Sequence, residues 1–121
     1  MSGAWRILGV FSRALALTVA IELPLCLLFF RKPGRLCLRA ALTVLLMNIV
    51  TNPILNLALL LIYQASGSSL AAYYAALAVG EVAVVAVEAT IMRAALGASR
   101  RRAAMASVAL NSASFLLGLL I

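Results

Sequence analysis

Four apolar segments of 17 to 24 residues, separated by short polar turns, constrain this chain more than any other feature. They cover residues 14–30, 40–63, 70–92 and 103–121. A helix needs about 20 apolar residues to cross the hydrocarbon core of a bilayer. Because lipid offers no partner to free backbone groups, a segment of this kind must be helical. The sequence therefore predicts an all-α, polytopic membrane protein with one transmembrane helix per segment.

Short connections predict how these helices are arranged, because they leave consecutive helices side by side and antiparallel. We expect one domain over residues 1–121, a four-helix transmembrane domain in the form of an up-down bundle. Residues 1–13 precede the first segment and are expected to lie along the membrane interface. The composition excludes a soluble domain, since 66% of the residues are hydrophobic and 11% are charged, against about 45 to 50% and about 25% in soluble proteins.

The basic residues predict an orientation. Eight of the ten lie in the first and third turns, namely Arg31, Lys32, Arg35, Arg39, Arg93, Arg100, Arg101 and Arg102. Cytoplasmic loops are rich in Lys and Arg, so loops 31–39 and 93–102 are predicted to be cytoplasmic and both termini to lie outside. The expected location is a bacterial-type plasma membrane, the inner membrane. This pattern explains the net charge of +7 by membrane topology alone. The expected partner is therefore the lipid bilayer, and nucleic-acid binding is not expected.

Catalytic, metal and cofactor signatures are weak in this sequence. The two cysteines, Cys26 and Cys37, do not form a CxxC pair, and the chain has no histidine. A zinc site or a thiol redox pair is therefore not expected, and no cofactor is predicted. An intramembrane enzyme needs a nucleophile with a base or a metal triad, so an enzyme is not expected either. The residues do not identify a metal.

A polar side chain lies near the middle of every apolar segment. The residues are Glu22 in the first segment, Thr51 and Asn52 in the second, Glu81 in the third and Asn111 in the fourth. A charged side chain at the bilayer centre costs about 2.5 to 3.5 kcal/mol on insertion scales. We therefore expect these side chains to point into the bundle and to contact one another there.

Further polar residues share faces with this layer. They recur at helical spacing, with Asn48, Asn52 and Asn56 in the second segment, Glu81 and Glu88 in the third, and Ser107, Asn111 and Ser114 in the fourth. Antiparallel helices would place Asn48 and Glu88 together on the cytoplasmic side of the midplane. Asn and Ser also join helices without any other role, at about 0.6 kcal/mol per bond. That interpretation stays open for Asn48, Asn56, Ser107 and Ser114.

Two prolines interrupt the hydrogen bonding of the predicted helices. Pro24 leaves the carbonyl of Ala20 without its usual partner, and Pro53 does the same to Ile49. Free carbonyls beside carboxylates and amides are ligands that suit a hard cation. The prolines therefore add weight to an ion site, although neighbouring groups in a membrane protein often satisfy such carbonyls.

Small residues at four-residue intervals mark one face of the third segment. Ala72, Ala76 and Gly80 form the small-xxx-small pattern, which allows two helices to approach closely. Packing inside the bundle is the expected use of this face. Self-association is the alternative.

These patterns lead to a functional hypothesis. It is a midplane carboxylate and amide site that binds or translocates a proton or small cation, as a transporter or channel does. Glu22 and Glu81 would supply exchangeable carboxyls, with a path to the cytoplasm at Glu88 and Asn48 and neutral ligands from Thr51, Asn52 and Asn111. The alternative is a non-transporting accessory or assembly subunit of a larger membrane complex, and a homo-oligomer is also open.

Overall fold

A computed structural model describes residues 3–30 and 35–120, without the side chains of residues 35–37. The described chain is all-helical and forms α1 (Gly3–Phe29), α2 (Arg35–Ala65), α3 (Leu70–Leu96) and α4 (Arg100–Leu120). Arg31 and Lys32 of the predicted basic turn lie outside the described residues, as do the two chain ends and the side chains of Arg35 and Cys37.

All four helices of the described chain are long and apolar enough to cross a membrane. Each covers one of the four predicted apolar segments to within one residue, which confirms the predicted helices. α1 begins at Gly3, so residues 3–13 belong to the same helix as the first apolar segment. At about 1.5 Å per residue, the 27 residues of α1 extend further than the hydrocarbon core of about 30 Å.

Local sequence explains where several helices begin and end. The hydroxyl of Ser69 caps α3 by accepting a hydrogen bond from the backbone N–H of Ala72 at 3.2 Å. Gly97 ends α3 in the left-handed conformation, with φ of 63°. Pro24 and Pro53 lie inside α1 and α2, and neither one ends its helix.

The helices pack in a ring in which α1 contacts α2, α2 contacts α3, α3 contacts α4, and α4 contacts α1. Their buried apolar core lies where α1 and α3 end and where α2 and α4 begin. It consists of Cys26, Phe30, Ala40, Val44, Met47, Met92, Ala103, Ala106 and Leu110. Only a narrow face of each helix is therefore buried in the interior.

The distribution of polarity is the reverse of that in a soluble protein. Large apolar side chains such as Leu46, Val79 and Leu120 are well exposed on the outside of the ring. A layer of polar side chains is buried inside it, namely Glu22, Thr43, Asn48, Thr51, Glu88, Ser107 and Asn111. Soluble proteins bury apolar residues and leave charged ones in water, so this surface suits an apolar surrounding.

One arginine joins the start of α4 to the end of α1. The guanidinium of Arg102 donates a hydrogen bond to the backbone carbonyl of Phe29. It also lies over the ring of Phe30, with its carbon 5.1 Å from the ring centre. The last carbonyls of a helix have no partner within that helix, and an arginine over an aromatic face adds a cation–π attraction. This contact closes the ring.

Gly80 shows that the small-residue face of α3 packs within the chain. A Cβ atom at Gly80 would lie 2.4 Å from Cδ1 of Leu55 on α2, which is closer than two carbon atoms can approach. The Leu55 side chain of α2 therefore occupies the space beside Gly80, so this face of α3 packs against α2 within the chain.

We predict that Gly80→Ala and Gly118→Ala have different effects on stability. Alanine in place of glycine inside a helix contributes about 0.5 to 1 kcal/mol, and nothing lies within 4 Å of a Cβ at Gly118. Gly118→Ala should therefore raise the free energy of unfolding in detergent. Gly80→Ala should gain less, because the end of the Leu55 side chain must move. Measured against a Leu55→Ala background, Gly80→Ala should show the full gain, and equal gains from Gly80→Ala and Gly118→Ala in the wild-type background would contradict the close approach.

Candidate functional site

Glu22 is the buried carboxylate of α1, and its side chain has no exposed surface. Its Oε2 accepts a hydrogen bond of 2.8 Å from the amide of Asn48 on α2. Its Oε1 accepts a hydrogen bond of 2.9 Å from the hydroxyl of Ser114 on α4. Glu22 thus joins α1 to both of its neighbours in the ring.

Glu88 is the corresponding carboxylate of α3, and it is also fully buried. Its Oε1 accepts a hydrogen bond of 2.8 Å from the hydroxyl of Thr51 on α2. Its Oε2 accepts a hydrogen bond of 2.6 Å from the amide of Asn111 on α4. Each carboxylate therefore receives one amide and one hydroxyl, with one donor from α2 and the other from α4.

The two helix pairs, α1 with α2 and α3 with α4, repeat one pattern. In each pair the first helix carries the carboxylate, and the second carries an amide followed three residues later by a hydroxyl. The amide binds the carboxylate of its own pair, whereas the hydroxyl binds the carboxylate of the other pair. We call these four hydrogen bonds the crossed network.

Buried apolar residues follow the same repeat. Cys26 and Met92 each lie one turn after a carboxylate, and both are fully buried. Met47 and Leu110 each directly precede the amide of their pair and are buried as well. The repeat therefore extends from the hydrogen bonds to the packing around them.

The donors are held in place by their own helices. The amide of Asn48 also donates to the carbonyl of Val44 at 3.0 Å, and the amide of Asn111 donates to the carbonyl of Ser107 at 3.0 Å. Since an amide nitrogen has two hydrogens, both are used in each case. The amides are thereby fixed with their N–H groups toward the carboxylates.

Charge is the unusual property of this network. All four donors to Glu22 and Glu88 are neutral groups. Every buried side-chain nitrogen and oxygen of the described residues has a hydrogen-bond partner. The hydrogen bonds of the network are therefore complete, but no positive group among these residues balances the negative charge of an ionised carboxylate. A buried carboxylate without a cationic partner is costly. Among the described side chains, no cationic group bonds to either carboxylate.

A small polar cavity of about 90 Å³ borders the crossed network. Glu88 lies in its wall together with Thr18, Asn52 and Glu81. The amide of Asn52 donates to the hydroxyl of Thr18 at 3.1 Å, and the amide of Asn56 donates to Oδ1 of Asn52 at 2.8 Å. A polar cavity of this size has room for a few water molecules.

Glu81 occupies a different environment from the other two carboxylates. It is half-buried and lies in the wall of the polar cavity and of a groove of about 650 Å³ between α3 and α4. Among the described residues, no side chain forms a hydrogen bond with its carboxylate. The sequence predicted that Glu22 and Glu81 would supply the paired carboxyls. In the structure, the second carboxylate of the crossed network beside Glu22 is Glu88. Glu81 shares a face with Glu88 but lies two turns further from the buried apolar core.

The structure brings most of the predicted site residues together. Five of the seven form the crossed network, namely Glu22, Asn48, Thr51, Glu88 and Asn111, while Asn52 and Glu81 line the cavity beside it. Ser114 and Thr18 are not among the predicted site residues, yet both belong to this region. Ser114 could be found from the sequence, because it follows Asn111 at the interval at which Thr51 follows Asn48.

Groups of three or more Cys, Asp or Glu side chains that could hold a metal ion are absent from the part of the chain that the structure describes. Comparisons with known proteins add no assignment, because no family model, curated protein or solved structure matches the chain. The interpretation of the site therefore depends on its own geometry.

The crossed network predicts which residue pairs are energetically coupled. In double-mutant cycles with leucine at Glu22, Glu88 and Asn48 and valine at Thr51, Asn48 should couple to Glu22, and Thr51 should couple to Glu88. The coupling free energy should be about 1 kcal/mol for each bonded pair, measured from unfolding in detergent. The exchanged pairs, Asn48 with Glu88 and Thr51 with Glu22, share no direct bond and should give clearly smaller coupling than the bonded pairs. Coupling of equal size in all four cycles would argue against this pairing.

Proposed function

We propose that this chain is a transporter- or channel-like membrane protein that exchanges protons at Glu22 and Glu88. One observation carries the proposal. Each buried carboxylate has a hydroxyl partner that also lies within hydrogen-bond distance of a backbone carbonyl. The same atoms can therefore accommodate the carboxyl with and without its proton.

Thr51 illustrates how this exchange works. Its Oγ1 is 2.8 Å from Oε1 of Glu88 and 2.9 Å from the carbonyl oxygen of Met47. A hydroxyl has one hydrogen and two lone pairs. When Glu88 is charged, Thr51 donates its hydrogen to the carboxylate. When Glu88 carries a proton, Thr51 donates to Met47 and accepts the hydrogen of the carboxyl group.

Ser114 provides the same choice at Glu22. Its Oγ is 2.9 Å from Oε1 of Glu22 and 3.1 Å from the carbonyl oxygen of Asn111. The other carboxylate oxygen keeps its amide donor in both states. At the carboxyl group itself, gain or loss of a proton then needs only the rotation of one hydroxyl hydrogen.

The donor groups favour a proton over a metal cation. Asn48 and Asn111 direct N–H groups at the carboxylates, and both hydrogens of each amide nitrogen are in use. Hard cations bind oxygen atoms and are repelled by N–H groups that point at the same place. A proton needs only one oxygen that can accept it.

The polar cavity supplies a path to and from Glu88. Glu81 lies in the cavity wall with Thr18 and Asn52 between the helices, and a few water molecules can connect such groups. Glu81 is then the outer relay, and Glu88 with Glu22 forms the inner pair. All three carboxyls of the sequence hypothesis keep a role in this order, but Glu81 and Glu88 exchange places: Glu88 joins Glu22 as the inner pair, and Glu81 lies on the path.

A membrane location is part of the proposal, because the apolar surface of the ring suits lipid and its carboxylates lie inside. Contacts between α1 and α2 support the up-down arrangement, since Glu22 meets Asn48 whereas the earlier Thr18 meets the later Asn52. Exposed arginines at the end where α2 and α4 begin support the orientation with that end in the cytoplasm of a bacterial-type cell.

Cysteine labelling tests this orientation. In a chain with Cys26 and Cys37 replaced by alanine, Ser68→Cys and Ser99→Cys place one thiol in each of two exposed turns. An impermeant maleimide added to intact spheroplasts should label Ser68→Cys, whereas Ser99→Cys should react only after lysis. Reversed labelling would invert the orientation, and equal labelling of both in intact cells would argue against membrane embedding.

The hydroxyl mechanism predicts that Thr51→Val impairs proton flux. Valine keeps the shape of threonine but cannot donate to the charged form of Glu88, and a bond to a charged group contributes about 1.5 to 3 kcal/mol. Flux should therefore fall by about tenfold or more. The measurement is acidification of proteoliposomes that contain a pH-sensitive dye, driven by a potassium diffusion potential.

Thr90→Val is the matched control. Thr90 lies on α3, is exposed and donates to the carbonyl of Ala86 at 2.9 Å. The substitution therefore removes the same kind of hydroxyl–carbonyl hydrogen bond at a position where the hydroxyl contacts no carboxylate. Its flux should equal that of the wild type. Equal flux in all three proteins would exclude the hydroxyl mechanism. Wild-type protein without flux, recovered in fixed ratio with another membrane protein, would favour the accessory-subunit alternative.

A further inference from the structure

The groove between α3 and α4 has a composition that differs from that of the polar cavity. Its volume is about 650 Å³, and most of its wall is apolar, with Leu77, Val82, Val85 and Val108 among the lining residues. It opens to the outside of the ring, where Val82 is 71% exposed. A groove of this kind accepts an aliphatic chain.

Glu81 gives this apolar groove one acidic group. Glu81 lies in the wall of the groove, and among the described residues no arginine or lysine lines it. The hydrogen bonds of Glu22 and Glu88 are provided by α2 and α4, whereas no described side chain bonds to Glu81. An acidic group on an apolar surface is costly unless a cation or a hydrogen-bond donor meets it.

We propose that this groove binds an amphiphilic amine, with its ammonium group on Glu81 and its aliphatic chain along α3 and α4. Charge complementarity selects this occupant, since a neutral lipid chain fills the apolar part and offers Glu81 neither a positive charge nor a hydrogen-bond donor. An ammonium group offers three hydrogens and a positive charge. The inference goes beyond proton exchange at Glu22 and Glu88 and does not depend on it.

Quenching of a tryptophan placed in the groove tests the proposal. Tyr74 lines the groove, so Tyr74→Trp in a Trp5→Phe chain reports on its occupancy. The probes are a nitroxide-labelled alkylamine and the alcohol of the same chain length and label, added to phosphatidylcholine vesicles that contain the protein. Leu46→Trp in the same background is the control reporter, because Leu46 lies exposed on α2.

The amine should half-saturate quenching of Trp at position 74 at a concentration about tenfold lower than the alcohol does. Both probes should quench Trp at position 46 equally. Glu81→Gln should remove the preference for the amine while leaving quenching by the alcohol unchanged, which also shows that the groove is intact.

Other outcomes would overturn the proposal. Equal quenching by amine and alcohol at position 74, or a preference that survives Glu81→Gln, would mean that Glu81 does not bind the ammonium group. Protection of Trp at position 74 from both probes, in a protein that cross-links to itself, would mean that a second copy fills the groove. A chain without proton flux can still pass this test, so the two proposals fail separately.

Discussion

Burial of two carboxylates in an apolar ring is the constraint on which the rest of this structure depends. Glu22 and Glu88 have no exposed surface, and a carboxylate in such surroundings needs hydrogen-bond donors. The donors come from α2 and α4, which each contribute one amide and one hydroxyl. Because these bonds are short and directional, they fix the depth and the rotation of each helix, which apolar contacts alone would leave loosely determined.

The repeat of this pattern in the two helix pairs gives the site an approximate two-fold character. Each hydroxyl crosses to the carboxylate of the other pair, so neither pair can complete its network alone. Glu81 and the groove beside it belong to α3 and α4 and break this equivalence. The chain thus combines two similar, fully buried carboxyls with one half-buried carboxyl that has no counterpart in the other helix pair. The two halves of the site therefore differ in their access to the outside of the ring.

Much of this architecture could be predicted from the sequence. Apolar length defines the helices, and the cost of a carboxyl in lipid requires Glu22 and Glu88 to face inward. The pairing of particular side chains was harder to predict, because spacing along one helix gives its face but not the relative depth of two helices. Glu22 and Glu81 are each central in their segments, yet Glu88 shares the network. Ser114 resembles any serine that joins two helices until the parallel with Thr51 is noticed.

The bond between Ser114 and Glu22 joins residues 92 positions apart in the chain. Since synthesis proceeds from the N-terminus, α1 is made with its glutamate long before the serine exists. During that interval Glu22 has only Asn48 of the second helix as a partner, and Arg102 has not yet reached Phe29. The ring therefore closes last at the contact between its first and last helices, and a ribosome that stalls before residue 114 leaves an acidic group only half satisfied.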